Sequence, residues 1–134
     1  MDLREPLYCD TSALVKLIIK EAESVALLKF LCKSDLQLTS SEICEVELTR
    51  TIKKIEPELQ RDAESLLQDM VLLPLTPAIR SRAGNLRPMH LKSLDAVHLA
   101  TAIEIQASSN SFLSYDKALN MAARGAGLEP VSPA

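Results

Sequence analysis

The sequence predicts an α/β fold in which a mostly parallel sheet of about five short strands carries helices on both faces. Two observations support this prediction. Short apolar runs alternate along the chain with segments of helical periodicity, and residues 94–105 form the clearest helical segment. Strands that alternate with helices are typical of crossover connections, which build parallel sheets. With 134 residues, of which 47% are hydrophobic, we expect one domain that spans residues 1–134.

The predicted elements follow one another without a linker or repeat. In order they are a strand at 6–9, helices at 12–20 and 22–32 (two helices or one bent helix), a strand at 36–39, helices at 41–54 and 58–69, a strand at 71–75, a helix at 77–83, a loop at 86–92, a helix at 94–105, a strand at 112–115, a helix at 117–124 and a strand at 128–131. Thr39 and Glu42 have the spacing of a capping box before helix 41–54. Pro57 suits the first turn of helix 58–69. Glycines at 84, 125 and 127 favour the ends of two later helices.

The composition argues against several classes of protein. The chain has no basic start followed by an apolar stretch, and its apolar runs are shorter than the roughly 20 residues that span a bilayer. We therefore expect a soluble, cytoplasmic protein with no membrane association. Cys9, Cys32 and Cys44 are odd in number and match no zinc spacing, so we predict three buried free thiols.

Two aspartates directly follow predicted strands. Asp10 closes the run at 6–9, and Asp116 follows the run at 112–115. Ligands of open α/β sheets bind outside the carboxyl ends of strands, so both acids are placed for chemistry. Either aspartate could instead be the N-cap of the helix that follows it. Capping does not explain why two acids follow strand ends and an inward-facing glutamate accompanies them, and such a cluster would repel itself unless it held a cation.

The glutamate is chosen by helix geometry. The apolar side of helix 41–54 consists of Cys44, Leu48, Ile52 and Ile55. At about 100° per residue, Glu47 lies at the edge of this stripe, whereas Glu42 points nearly opposite and Glu45 lies beyond the other edge. Glu47 is therefore predicted to point inward. The alternative is a surface pair with Arg50 or Thr51.

Asp95 is the fourth acid. It lies in the first turn of helix 94–105, after Ser93 as the predicted N-cap, where the helix dipole alone favours a carboxylate. Taken with the other three acids, it completes a set of oxygen ligands that suits Mg²⁺. We predict that Asp10, Glu47, Asp95 and Asp116 are the catalytic and metal-binding residues, holding one ion or two for phosphodiester hydrolysis.

Other polar residues are assigned supporting roles. Ser12 and Ser114 each lie two residues from a strand-end aspartate and could orient a carboxylate or a metal-bound water, and Thr11 could do the same or cap a helix. His98, three residues after Asp95, is predicted to be packed or to face a partner, because no other nitrogen or sulfur ligand accompanies it. Phosphate contacts are predicted for Arg50, Arg87, Lys92 and Lys117, with solvated surface as the alternative for each.

The net charge does not exclude RNA as a substrate. The formal charge of −3 is unusual for a nucleic-acid binder, but setting aside the four site acids changes −3 to +1. A metal-loaded site would therefore leave a nearly neutral surface with local basic patches. Aromatic residues make up only 3% of the chain, so base stacking cannot be the main source of binding.

Four motifs together resemble the PIN-domain nucleases, and more narrowly the VapC toxins of toxin–antitoxin systems. They are YCDTSALVK at 8–16, EVELTR at 45–50, SLDAVHLATA at 93–102 and LSYD at 113–116. The resemblance implies a three-layer α/β/α sandwich and an Mg²⁺- or Mn²⁺-dependent endoribonuclease that is inhibited by a small cognate antitoxin and commonly forms a homodimer. It carries the metal-site roles onto the same four acids and places hydroxyls near them at Thr11 and Ser114. Where the family often has an arginine after the fourth acid, this chain has Lys117 and Ala118.

Two other readings remain open. A PIN-like module could bind RNA or protein without cutting, although all four acids are present. A phosphorylated receiver domain has a similar length and alternation, but it would have paired acids after the first strand and an aspartate at the end of the third. Here Thr11 follows Asp10, and the third strand ends in Leu75 and Thr76.

Overall fold

The structure, a computed structural model, describes residues 4–134. Its elements are β1 (Glu5–Cys9), α1 (Thr11–Ile18), α2 (Ser24–Lys33), β2 (Leu36–Ser41), α3 (Ile43–Ile55), a 3₁₀ turn (Pro57–Leu59), α4 (Gln60–Asp69), β3 (Val71–Leu73), α5 (Pro77–Asn85), α6 (Ser93–Glu104), β4 (Ser111–Leu113), α7 (Lys117–Gly125) and β5 (Glu129–Val131). The predicted order of strands and helices is confirmed, and α1 and α2 are two separate helices. Within residues 4–134, no helix has both the length and the apolar character needed to cross a membrane.

All strand pairs in the sheet are parallel, and the strand order is β3-β2-β1-β4-β5. The chain builds outward from β1 through β2 to β3 and then returns to the other side of β1 with β4 and β5. The order therefore reverses between β1 and β4, which pair through Tyr8 with Phe112 and Cys9 with Leu113. In doubly wound sheets the crevice at such a reversal is the usual place for a ligand.

Helices cover both faces of the sheet, and neighbouring strand residues point to opposite faces. Leu7 and Cys9 belong to a core with α1, α2, α3 and α4, whereas Tyr8 belongs to a second core with α6 and α7. In β4, Leu113 joins the first core and Phe112 the second. This alternation produces a three-layer α/β/α arrangement, so the predicted fold class is confirmed.

Several local predictions are wrong. Thr39 does not start a capping box, because it lies inside β2 and donates to the Gln37 carbonyl oxygen (3.0 Å). Helix α3 begins two residues later than expected, and the Glu42 carboxylate accepts from the Leu75 backbone N–H instead (3.1 Å). A strand that extends to Ser41 leaves no room for a cap at Thr39.

Other local differences are smaller. Ser93 is the first residue of α6 and Lys92 takes the N-cap position. Pro57 begins a separate 3₁₀ turn before α4.

The cysteines only partly match the prediction. Cys9 and Cys44 are buried free thiols, and burial is the main cause that raises the pKa of both, to about 11 for Cys44. Cys32 is also a free thiol but is exposed, because it lies on the outer side of α2. Ile55 is also exposed, so the apolar side of α3 ends at Ile52.

Candidate active site

Asp10 lies at the carboxyl end of β1, where the sheet order reverses. Its backbone N–H donates to the Leu113 carbonyl of β4 (3.1 Å), which keeps the two strand ends together. The Asp10 carboxylate accepts from the Ala13 N–H at the start of α1 (3.2 Å). Asp116 similarly accepts from the Leu119 N–H at the start of α7 (3.0 Å). Both aspartates are therefore N-caps, and capping fixes their side chains at the same edge of the sheet.

Two serine hydroxyls hold the Asp10 carboxylate. Ser12 Oγ donates to Oδ1 (2.6 Å) and Ser114 Oγ donates to Oδ2 (2.7 Å). Asp10 is only 4% exposed, and this burial raises the pKa of its carboxyl even though the hydrogen bonds from Ser12, Ser114 and Ala13 and the charge of His98 lower it. The metal-free protein therefore holds a proton on Asp10 more readily than an exposed aspartate would.

The same hydroxyls connect the loops that follow β1 and β4. Ser12 Oγ accepts from the Tyr115 N–H (3.0 Å), and Ser114 Oγ accepts from the Asp116 N–H (3.1 Å). Each hydroxyl thus bonds a carboxylate with its proton and a backbone N–H with its oxygen. The positions of Asp10 and Asp116 are coupled through these bonds.

Glu47 reaches the site from α3. Its side chain is 23% exposed, whereas Glu42 and Glu45 are exposed residues. The partners of Glu47 Oε1 are the Thr11 hydroxyl (2.8 Å) and His98 Nε2 (2.7 Å), not the Arg50 or Thr51 of the surface alternative. Burial opposes the ionised form, but the hydrogen bond and charge of His98, together with the Thr11 hydroxyl, outweigh burial and lower the pKa of Glu47.

Asp95 lies in the first turn of α6 and is half-buried. Burial is the largest cause that raises the pKa of its carboxyl, followed by the negative charge of Asp116. Asp10 and Glu47 also raise this pKa, and His98 opposes them. The four acids therefore lie in one electrostatic neighbourhood, although they come from four separate segments of the chain.

His98 is the residue whose contacts the sequence did not predict. It is 2% exposed, as expected for a packed histidine, but both ring nitrogens make polar contacts. Nε2 pairs with Glu47 and Nδ1 contacts the Tyr8 hydroxyl (2.7 Å). The spacing of three residues from Asp95 placed His98 on the same side of α6, which was a usable signal. Nothing in the local sequence pointed to Tyr8.

The donor chemistry of the site fits a hard divalent ion. All four acids supply oxygen, and the like charges that act on Asp95 would be relieved by a cation. Within residues 4–134, no group of three or more His, Cys, Asp or Glu side chains is already close enough together to hold a metal ion. Asp10, Glu47, Asp95 and Asp116 are the residues that could hold one.

The basic residues assigned to phosphate contact lie on the surface. Arg50, Arg87, Lys92 and Lys117 are all exposed. Lys117 is the first residue of α7, directly after Asp116. Lys92, the N-cap of α6, lies three residues before Asp95.

The PIN domain family matches residues 7–125, which is most of the chain. This chain belongs to the PIN domain family. A curated relative, Ribonuclease VapC47 of Mycobacterium tuberculosis, is 36% identical over 131 residues, covering 95% of this chain and 96% of the relative. Ribonuclease VapC35 of the same species is 38% identical over 130 residues, with the same coverage of both chains.

Solved structures agree with the PIN fold. A toxin–antitoxin complex from Klebsiella pneumoniae contains a chain that matches with a TM-score of 0.73 at 22% identity, covering 96% of this chain and 98% of that one. The crystal structure of Mycobacterium tuberculosis VapC20, a sarcin–ricin loop cleaving toxin, matches with a TM-score of 0.75 at 14% identity, covering 95% of this PIN domain and 99% of that chain. At these identities the likeness concerns the fold.

Proposed function

We propose that this PIN domain is a divalent-metal-dependent endoribonuclease, using Mg²⁺ or Mn²⁺, and the toxin of a type II toxin–antitoxin pair. One observation carries the proposal: Asp10, Glu47 and Asp116, from separate segments, lie close enough to Asp95 for their charges to raise its pKa, at the point where the sheet order reverses. The likeness over nearly the whole chain to relatives named Ribonuclease VapC supports RNA as the substrate.

Asp10, Glu47, Asp95 and Asp116 would hold the ion. When bound, a divalent ion supplies a Lewis acid that polarises a phosphoryl oxygen and makes water a better nucleophile at neutral pH. Asp10 is the most rigid of the four, because two hydroxyls and one backbone N–H fix its carboxylate. Asp95 and Asp116 are half-buried and open to ligands from solvent. No covalent nucleophile from the protein is needed.

The remaining residues bind and orient. Lys117, Arg50, Arg87 and Lys92 would contact backbone phosphates, which position RNA without reading its sequence. Ser12, Ser114 and Thr11 hold carboxylates through their hydroxyl protons. With few aromatic side chains, the chain would select its target mainly through backbone shape and charge.

The proposed partners follow from the same comparisons. Several of the matched structures are complexes of a toxin with an antitoxin, including VapBC2 from Rickettsia felis bound to promoter DNA. We propose that a small cognate antitoxin inhibits this PIN domain, that the chain forms a homodimer and that it acts in the cytoplasm on cellular RNA. Val25 and Leu28 on α2 are about half exposed (52% and 50%), which would suit a contact of either kind.

The test is cleavage of total cellular RNA by antitoxin-free protein with Mg²⁺, with Mn²⁺ and with EDTA. The informative variant is Asp95→Asn, and the matched control is Asp62→Asn, because Asp62 is also a first-turn aspartate but is exposed on α4. We expect cleavage by wild type and the control only with metal, and its loss in Asp95→Asn. Cleavage by Asp95→Asn at the wild-type rate would refute the site, and RNA binding without cleavage would favour a non-cutting module.

A further inference from the structure

A chain of hydrogen bonds leads from the backbone of β2 to the carboxylate of Glu47. The Ser41 N–H donates to the Tyr8 hydroxyl oxygen (3.1 Å), and the hydroxyl lies 2.7 Å from His98 Nδ1. On the other side of the ring, His98 Nε2 lies 2.7 Å from Glu47 Oε1. This series of hydrogen bonds thus connects residues on β2, β1, α6 and α3, which are far apart in sequence. It ends on an acid that we assign to the metal site.

The rings of Tyr8 and His98 have little freedom to move. Tyr8 is 1% exposed and His98 is 2% exposed. The Tyr8 ring stacks on Phe112, with centroids 5.6 Å apart and planes 4° from parallel. His98 meets the edge of Tyr8 at 73°, with centroids 5.9 Å apart. Close packing on all sides fixes the direction in which Nε2 presents its proton.

The contacts on Glu47 are concentrated on one of its two oxygens. Both Thr11 Oγ1 and His98 Nε2 reach Oε1, at 2.8 Å and 2.7 Å. A carboxylate whose Oε1 is held by two donors cannot rotate freely about its terminal bond. Its Oε2 is then the oxygen that is presented to another ligand. The Glu47 side chain has three rotatable bonds, and a metal ion that bound a freely rotating carboxylate would restrict them at a cost in conformational entropy. Because the two donors already restrict this side chain, metal binding costs less entropy.

We propose that the Tyr8–His98 pair is a positioning device that fixes the Glu47 carboxylate for metal binding, so that His98 is a positioning residue and not only a core histidine. The proposal rests on the function proposed above. A core role alone would require burial, which many apolar residues could provide. It would not require that both ring nitrogens be used, one on a site acid and the other on a hydroxyl that is itself held by the backbone.

The test compares variants that separate packing from hydrogen bonding. His98→Leu fills the space without a donor, whereas His98→Gln offers an N–H near the position of Nε2. Tyr8→Phe removes one hydroxyl and keeps the ring that stacks on Phe112. The matched control is Thr101→Val, because Thr101 is 1% exposed on the same helix and its hydroxyl donates only to the Val97 carbonyl (2.7 Å). For each variant we would measure the Mn²⁺ dissociation constant by calorimetry, kcat and KM for RNA, and Tm.

Loss of an outer partner of a metal ligand typically costs about 10–100-fold in metal affinity, and we expect a loss of this order in His98→Leu. His98→Gln should recover most of the lost Mn²⁺ affinity. Tyr8→Phe should lose roughly threefold in Mn²⁺ affinity, which is a small fraction of the same effect. Thr101→Val should keep the wild-type Mn²⁺ affinity at a lower Tm. If His98→Leu does not fold, Tyr8→Phe and His98→Gln decide. Folded His98→Leu or Tyr8→Phe protein with wild-type Mn²⁺ affinity would overturn the proposal, as would equal defects in His98→Gln and His98→Leu.

A measurement on the metal-free wild type keeps this proposal separate from the proposed function. The Nε2-bound proton of His98 should give a resolved ¹H–¹⁵N signal that exchanges slowly with water, and Glu47→Gln should shift it. An absent or rapidly exchanging signal would contradict the positioning role whatever the catalytic result. Failure of the wild type to bind Mn²⁺ or to cut RNA, with this signal present, would instead refute the proposed function and leave the hydrogen-bonded pair intact.

Discussion

Ser114 Oγ lies 2.7 Å from Asp10 Oδ2, although 104 residues separate the two in sequence. The contact exists because β1 and β4 are neighbours in the sheet and end at the same level, with Cys9 beside Leu113. Ser114 is fully buried, so its hydroxyl has no water to bond if Asp10 moves away. This bond therefore links the direction of the Asp10 carboxylate to the adjacent strand.

Ser114→Ala should weaken metal binding and stability together. The change leaves one oxygen of a buried carboxylate without its donor, which costs about 1–3 kcal/mol in the free energy of unfolding. Because the Ser114 hydrogen bond lowers the pKa of Asp10, its loss should raise that pKa further. The measurement is chemical denaturation with and without Mn²⁺. Ser109→Ala is the control, since Ser109 is also buried but precedes β4 at the other edge. Equal effects of the two variants on Mn²⁺ affinity would contradict this prediction.

Asp95→Asn should stabilise the metal-free protein. The raised pKa of Asp95 reflects burial and the charges of Asp116, Asp10 and Glu47, so the ionised carboxylate is unfavourable in the folded state. We expect Asp95→Asn to have a higher Tm than wild type in EDTA near pH 7.5, and solvent screening at this half-buried position should keep the gain small. Asp62→Asn should show no such gain.

The pH dependence of that gain has a definite sign. A group with a raised folded-state pKa favours folding at pH values below its unfolded pKa, and this contribution is lost as pH rises through the folded pKa. The difference in Tm between Asp95→Asn and wild type should therefore shrink as the pH is lowered toward about 4, the ordinary pKa of aspartate. Glu47 behaves oppositely, because its lowered pKa gives stability above its unfolded pKa that is lost as pH falls through the folded value. A Tm difference that grows toward acid pH would be the wrong sign.

Metal binding should release protons in mildly acidic solution. Because the pKa values of Asp10 and Asp95 are raised, these carboxyls take up protons as the pH falls, and a cation must displace those protons to bind. The Mn²⁺ affinity should therefore decrease as the pH is lowered. Calorimetry at a series of pH values between about 4, the ordinary pKa of aspartate, and neutrality, in buffers of different ionisation enthalpy, measures the number released. Asp95→Asn should reduce that number more than Glu47→Gln does, because Glu47→Gln removes only one of the charges that raise the pKa of Asp95. If wild type and Asp95→Asn release the same number of protons, none of the displaced protons comes from Asp95.

Lys16→Met should loosen the loop that carries Ser114 and Asp116. Lys16 Nζ lies 4.8 Å from the centre of the Tyr115 ring and pairs with Glu23 (3.2 Å). The Tyr115 N–H in turn donates to Ser12 Oγ. Loss of the cation–π contact should cost about 1 kcal/mol, and the Tyr115 amide should exchange with solvent faster. Hydrogen exchange detected by NMR checks this, with Lys20→Met on the exposed end of the same segment as the control. Unchanged protection of the Tyr115 amide would show that the lysine does not support the loop.

Lys117→Gln should weaken RNA binding in a salt-dependent way. If Lys117 contacts one phosphate, its removal should reduce the slope of log affinity against log salt concentration by about 0.7 for single-stranded RNA. Lys33 gives a matched control, because it is exposed at the end of α2 and precedes β2, at the opposite edge of the sheet. Fluorescence anisotropy with the non-cutting Asp95→Asn background checks both variants. The same slope in both would remove Lys117 from the phosphate contacts.

The order of the elements could be predicted from the sequence, because strand and helix periodicities depend on neighbouring residues. The strand-end position of Asp10 and the inward direction of Glu47 are of this local kind, and the structure places them as expected. Asp116 was expected directly after a strand at 112–115, but β4 ends at Leu113, so Asp116 lies three residues beyond the strand, as the N-cap of α7. The capping box at Thr39 was wrong for a non-local reason. Pairing of β2 with β1 and β3 extends the strand to Ser41, and this pairing overrides the local preference of the sequence for a cap.

The sequence by itself determined the alternation of strands and helices, the four acids and their family. Only the tertiary structure decided what those acids contact. Tyr8 and His98 are 90 residues apart, and Thr11 and Glu47 are 36 apart, yet each pair is within hydrogen-bond distance. Periodicity assigns a side chain to the face of its own element. Which donor the side chain meets depends on the order of strands in the sheet and on how α3 and α6 pack against the sheet. Both are set by the requirement that the two hydrophobic cores be buried at the same time.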